Sequence, residues 1–140
     1  MCARRKELPV PQREEIVASF EDGTLHNCDF GHADHLFVIW SLVRSHGTLG
    51  GLARFEAGIK KVTAAAGVPE KYHATVTHAL AILVGERVAG SPDASWEDFV
   101  AGNGELLEWP SPILASLYSA EMLDSPAARE HFMLPGFGVE

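Results

Sequence analysis

Apolar residues in this chain recur at spacings of three and four, and nowhere do they alternate with polar ones over the length of a strand. A repeat of three and four gathers side chains on one face of a helix, whereas a half-buried strand needs a repeat of two. β-branched residues are not clustered either. The chain therefore reads as all-α, a single-domain helical bundle of about five to seven helices packed around one core. Its 140 residues, 46% hydrophobic and 21% charged, are enough for that core without disulfide or metal staples.

Glycine, proline and small hydroxylated residues divide the periodic stretches. Pro11 opens a short segment with Ile16, Val17 and Phe20 on its apolar side, closed by Asp22-Gly23. A helix carrying Leu36, Ile39, Trp40 and Val43 ends at Ser45 or His46, with Gly47 just beyond it. Thr48 caps the next, whose stripe is Leu49, Leu52, Phe55, Ile59 and Val62, and Gly67 ends it. A third helix is expected over about 69–88, started by Pro69, with Val76, Leu80, Leu83 and Val84 as its stripe. Ser95 opens a shorter helix with Trp96 and Phe99 on its buried side, and Asp98 stands in capping-box position. Leu106, Leu107 and Trp109 are expected in the core around a turn. Pro112 starts a helix with Leu114, Leu117, Tyr118 and Met122, and Ser125-Pro126 a last short one. The domain is placed at residues 11–133, between a disordered segment 1–10 and an irregular tail 134–140.

Composition limits the partners. A net charge of −8 repels phosphate backbones, so no nucleic acid is expected, and Arg4, Arg5 and Lys6 are too few to reverse this. No run approaches the ~20 apolar residues of a membrane span, and the first residues lack the apolar stretch of a signal peptide. With Cys2 and Cys28 as its cysteines, the chain suits a reducing, cytoplasmic setting. Small-molecule substrates are the expected partners, and a homodimer is left open.

The histidines carry the sharpest signal. His32 and His35 lie one turn before Leu36, Ile39 and Val43 and extend that stripe backwards. His73 falls in line with Thr77, Leu80 and Val84 near the start of its own helix. His78 is rotated away from that stripe and is expected to face solvent; His46 lies at a helix end, and His131 in the last short helix. In an up-down-up bundle the first and third long helices are parallel, so the N-termini bearing His32, His35 and His73 share one end. His-x-x-His on one helix with a distant third histidine is a common way to hold one divalent transition metal, and iron, copper or zinc would suit it. Equally, His32 reads as a helix cap and His35 as a satisfied core histidine.

Around the trio, Tyr72, Thr77, Asp34, Arg87, Cys28 and His26 are the candidates for contact with a ligand or with the histidines themselves. Asp34 reads better as a cap or as a hydrogen-bond partner than as a ligand, and Arg87 as a helix-end cation able to meet an anion. A phosphate loop, a nucleophile elbow and a His-Glu-x-x-His helix are all missing from the sequence.

Phe30-Gly31-His32-Ala33-Asp34-His35-Leu36 with Trp40, then Lys71-Tyr72-His73-Ala74-Thr75 with Thr77, then Ser95-Trp96-Glu97-Asp98-Phe99, resemble the pattern of a family of small all-helical bacterial proteins over roughly residues 28–125. The resemblance implies that His32, His35 and His73 occupy that family's motif positions; it carries no reaction with it.

Two functional expectations follow. In the first, the three histidines hold a mononuclear metal and act on a small, anionic organic molecule, with oxygenase or oxidase chemistry ahead of lyase or hydrolase chemistry. In the second, the histidines line a small-molecule pocket or interaction surface and no reaction takes place.

Overall fold

The computed structural model describes residues 10–25 and 31–135. Among these the protein is all-helical, without strands. Its elements are α1 (Val10–Asp22), α2 (His32–Ala65), a 3₁₀ turn (Pro69–Lys71), α3 (Ala74–Gly90), α4 (Trp96–Gly102), α5 (Gly104–Leu107), α6 (Pro112–Leu117), α7 (Ala120–Asp124) and α8 (Pro126–Glu130). Eight α-helices among the described residues exceed the five to seven expected. The extra ones are α5, which follows Asn103, and α7, restarted by the Ser119 hydroxyl.

α2 is two helices joined at a corner. Gly47 stands at φ 80°, ψ 171°, a conformation open to glycine and strained for other residues. The break falls where the sequence places it, and separates a first limb, 32–46, from a second, 48–65. The missing side chain of Gly51 brings the limbs together: a Cβ there would lie 2.7 Å from the Val43 amide nitrogen. Further from the corner, the rings of His35 and Phe55 meet at 6.3 Å. With Val43 opposite Gly51 and His35 opposite Phe55, the two limbs run antiparallel.

The second limb is also antiparallel to α3. Thr48 packs on the bare face of Gly85 at one end, and Tyr72 donates its hydroxyl to Glu56 Oε2 at 3.1 Å near the other. The first limb and α3 are therefore parallel, and their N-termini lie at the same end of the bundle. α1 covers the second limb through Phe20, whose ring lies on Gly58 and stacks on Phe55 at 5.2 Å.

One apolar core joins these elements. Leu36, Ile39, Val62, Leu80 and Val84 fill its centre, and Leu106 and Leu114 bring α5 and α6 onto it. α4 is attached by aromatic packing: Trp96 meets Phe37 edge-on at 5.1 Å, and Phe99 stacks on Trp96 at 5.7 Å. Ser95 Oγ caps this helix by accepting the Asp98 amide at 3.1 Å. The Ser-Trp-x-x-Phe element is thus a capped, core-anchored helix.

Several expectations need correction. The helix expected over 69–88 is interrupted: a 3₁₀ turn ends at Lys71, and α3 begins at Ala74 with His73 as its N-cap. The helix expected from Pro112 to beyond Met122 breaks after Leu117, because Ser119 Oγ accepts the Met122 amide at 3.0 Å and begins α7. Leu49 and Leu117 are exposed, at 77% and 37%. Leu49 lies on the outer side of the second limb, between Thr48, packed on Gly85, and Gly51, packed on Val43, and Leu117 is the last residue of its short helix. Trp109 is 55% exposed rather than in the core. No helix among the described residues is long and apolar enough to cross a membrane.

Candidate functional site

The shared end of the first limb and α3 encloses a cavity of about 430 Å³, within the ~300–1,000 Å³ of small-molecule pockets. The first limb contributes His32 and His35, the second Phe55, Ile59 and Thr63, and α3 with its cap His73, Val76, Thr77 and Leu80. Lys71 ends the 3₁₀ turn and Tyr72 follows it, Trp109 enters from the α5–α6 connection and Arg129 from α8. The three histidines singled out by helical phase therefore line one cavity. So do Tyr72 and Thr77.

Each imidazole is held differently. His32 Nε2 lies 2.9 Å from the Leu106 carbonyl oxygen. A carbonyl only accepts, so Nε2 carries the proton and the lone pair of the neutral ring is on Nδ1. The ring also packs on Trp109, with centroids 4.9 Å apart. Burial, and secondarily the neighbouring His32, press the His35 pKa down to about 3, so this ring is neutral at physiological pH. Burial lowers His32 as well.

His73 uses both ring nitrogens. Nδ1 accepts the Val76 amide at 3.2 Å, which caps α3, and Nε2–H donates to the Leu123 carbonyl at 2.7 Å. Two residues on, the fully buried Thr75 hydroxyl donates to the carbonyls of Ala128 at 2.7 Å and His131 at 2.9 Å, and accepts the Met133 amide at 3.2 Å. Because one hydrogen cannot lie fully on two oxygens, the donation is shared between those carbonyls. Tyr118 adds a hydrogen bond to the Met133 carbonyl at 2.6 Å. The first turn of α3 thus clamps α7, α8 and the segment after them, and places Arg129 at the cavity.

Thr77 differs from its neighbours. It is 7% exposed, and its hydroxyl has no hydrogen-bond partner among the described residues. Thr63, also buried on the cavity wall, instead donates to the Ile59 carbonyl at 3.0 Å. Among the described residues no buried side-chain polar atom lacks a partner, so the Thr77 hydroxyl faces the open space of the cavity and keeps a hydrogen bond to give to whatever fills it.

The charge of the lining is one-sided. Lys71 and Arg129 are permanent cations, and among the described residues no carboxylate lines the cavity, in a chain of net charge −8. Arg129 has a loose partner in Asp124, 3.6 Å away and mostly exposed. The N-termini of α2 and α3 add their partial positive charge at the same end.

The remaining candidates lie elsewhere. Asp34 Oδ2 accepts the Gly31 amide at 3.2 Å, completing the start of α2, and does not line the cavity. Arg87 donates to Asn103 Oδ1 at 2.7 Å, joining the far end of α3 to α4, and is removed from the site. Cys28 and His26 lie outside the described residues. His78 is half-buried rather than solvent-facing: its Nδ1–H donates to the Ala74 carbonyl at 2.7 Å and its ring stacks on Phe132 at 5.5 Å. Sequence reasoning passed over Arg129, assigned no role to Lys71 and took Trp109 for core. Arg129 and Trp109 reach the cavity through the arrangement of the short C-terminal helices, which carries no periodic signal.

Among the described residues no group of three histidine, cysteine or acidic side chains is placed to hold a metal ion. A broader and more open groove of about 840 Å³ runs between α1, the first limb and α4, with Glu14, Glu97 and Arg44 on its walls. It lacks both the one-sided charge and the histidines, and Arg44 there already stacks on Trp40, 4.5 Å from the ring centre. No family model, curated protein or solved structure matches this chain.

Proposed function

We propose that the cavity at the shared N-terminal end of α2 and α3 binds a small organic anion. The observation that carries this reading is the unpartnered Thr77 hydroxyl in a cavity whose charged lining, among the described residues, consists of the cations Lys71 and Arg129. A protein of this acidity gains nothing for stability by grouping Lys71 and Arg129 on one cavity with no carboxylate among its described lining residues. An anionic ligand supplies the missing charge, and its polar atoms satisfy Thr77. The apolar walls, Phe55, Ile59, Val76 and Leu80, take its hydrocarbon body. Thermal-shift titration against a panel of organic carboxylates and phosphate esters tests this. Anions raise the melting temperature of the parent and raise it less in Thr77→Val. A panel in which no anion stabilises the protein overturns the reading.

A metal-dependent enzyme is the second reading, in which iron, copper or zinc on His32, His35 and His73 carries oxidase, oxygenase or lyase chemistry. In its favour, His32 and His35 sit one turn apart on the cavity wall as neutral rings, and neutral imidazole is the form that ligates. His32 also shows the arrangement usual for a ligating histidine, one nitrogen donating to a carbonyl and the other left with its lone pair. Against it, His73 ligates only by giving up its cap to Val76 or its bond to Leu123. Elemental analysis of untagged protein decides: near-stoichiometric metal that His32→Ala abolishes supports this reading, and protein that neither carries nor takes up these metals excludes it.

A further inference from the structure

The cavity's walls and charges narrow the ligand further, an inference that rests on the organic-anion reading above. Six of the lining residues present flat rings: His32, His35, Phe55, Tyr72, His73 and Trp109. The two permanent cations are not spread around this box. Lys71 lies two residues before the N-cap of α3, and Arg129 follows Ala128, whose carbonyl is bound by Thr75 in the first turn of α3. Both cations therefore flank the N-terminus of a 17-residue helix, which adds its dipole. Trp109, also on the lining, packs on His32 at the start of α2 and is 55% exposed.

We infer that the cavity takes an aromatic monocarboxylate, its carboxylate at the α3 N-terminus between Lys71 and Arg129 and its ring towards Phe55 and Trp109. A flat ring presents its faces and edges to the surrounding rings in offset and edge-on contacts, which a branched or puckered body does not match. A guanidinium meets a carboxylate with two parallel hydrogen bonds, and Asp124, at 3.6 Å and mostly exposed, is a weak competitor for it. A single negative charge suits the site, because Asp124 offsets part of Arg129 and burial keeps His32 and His35 neutral. Thr77, which is well inside, donates to a polar substituent or to the carboxylate itself. Trp109 closes the ring end of the box and changes its surroundings when the ligand enters.

Binding of benzoate and phenylacetate, followed by isothermal calorimetry and by tryptophan fluorescence of the full chain, tests this. Their neutral amides, cyclohexanecarboxylate and phenyl phosphate serve as comparisons. The expected result is saturable binding of the aromatic carboxylates at least about tenfold tighter than of their amides, the low end for a charge-assisted contact. Arg129→Gln weakens the carboxylates by about tenfold or more and leaves the amides unchanged. Trp109→Phe retains binding and loses the fluorescence change, since Trp40 and Trp96 are buried together away from the cavity. Equal affinity for carboxylate and amide, or an Arg129→Gln variant that binds as the parent does, overturns the inference. Tight binding of phenyl phosphate or cyclohexanecarboxylate with none of the aromatic carboxylates overturns the ligand class and leaves the organic-anion reading standing. Failure of every anion in the panel overturns both.

Discussion

The imidazole of His73 spans from the Val76 amide, which Nδ1 accepts at 3.2 Å, to the Leu123 carbonyl, to which Nε2–H donates at 2.7 Å. One side chain therefore starts α3 and secures α7 against it. A histidine placed in line with a helical stripe turns out to hold the helix end in position, and the cavity wall is a consequence of that placement.

Removing this imidazole should cost stability in two parts. His73→Ala loses a cap and a hydrogen bond, together about 2 kcal/mol. His73→Asn keeps a good capping residue and loses only the reach to Leu123, so about half that cost is expected. Urea unfolding of both variants checks this, and equal losses would show that capping is not what His73 supplies.

Thr75 makes a stronger case, since its hydroxyl serves three backbone groups of the C-terminal segment in a site with no solvent exposure. Thr75→Val preserves shape and removes every one of those bonds. A loss of roughly 2–4 kcal/mol is expected. Limited proteolysis should cut within 119–135 well before the long helices. A variant as stable and as resistant as the parent would mean that α8, and Arg129 with it, is held in some other way.

Close packing at the corner of α2 predicts opposite outcomes for two glycines. At Gly51 an added Cβ meets the Val43 backbone at 2.7 Å, and neither helix can move aside cheaply, so Gly51→Ala should cost about 2 kcal/mol or more. Gly90 ends α3 with nothing within 4 Å of an added Cβ. Gly90→Ala should be neutral or stabilising by about 0.5 kcal/mol. Melting temperatures of the two variants should move apart, and a harmless Gly51→Ala would contradict the contact between the limbs.

Acid should destabilise the protein through the cavity histidines. His35 is held to about 3 by burial and then by His32, against 6.5 for an unperturbed histidine. Below 6.5 the unfolded chain takes up a proton that the folded one refuses. The stability linked to His35 is therefore complete above pH 6.5 and is lost progressively as pH falls towards 3. The slope approaches about 1.4 kcal/mol per pH unit for one fully shifted group. His32, lowered in the same direction, adds to it. His35→Phe, whose ring would replace the imidazole beside Phe55, should flatten the profile between pH 6 and 4. A variant with the parent's slope would assign the acid sensitivity to other groups.

Much of the long-helix frame can be read from the residues themselves. Gly47 shows as a break because a helix cannot continue through its conformation, and Ser95 shows as a cap because Asp98 follows at the right distance. Helical phase brought His32, His35 and His73 to one face each, and Tyr72 and Thr77 followed from adjacency. The short C-terminal helices were legible only as starts at Ser95, Pro112 and Ser125; α5, the break before α7 and the way these helices fold back onto α3 leave no repeat to detect. Arg129 and Trp109 stayed hidden for that reason. Arg87 and Asp34 were candidates by position alone; Asp34 makes a local capping bond and Arg87 ties the end of α3 to Asn103 at the end of α4.

The sequence by itself determined the helical class, the corner at Gly47 and the phase that sends three histidines inward, because these depend on the chain's own periodicity and on glycine's backbone freedom. The tertiary structure decided what those histidines do. Antiparallel packing of the second limb against both neighbours sets the N-termini of α2 and α3 side by side. Folding of α7 and α8 back onto α3 then engages Nε2 of His73, whose Nδ1 caps α3, leaves Thr77 unpartnered and brings Arg129 to the cavity. Those outcomes depend on which backbone carbonyls come within hydrogen-bond reach of a ring or hydroxyl some fifty residues away, and spacing along the chain does not encode that.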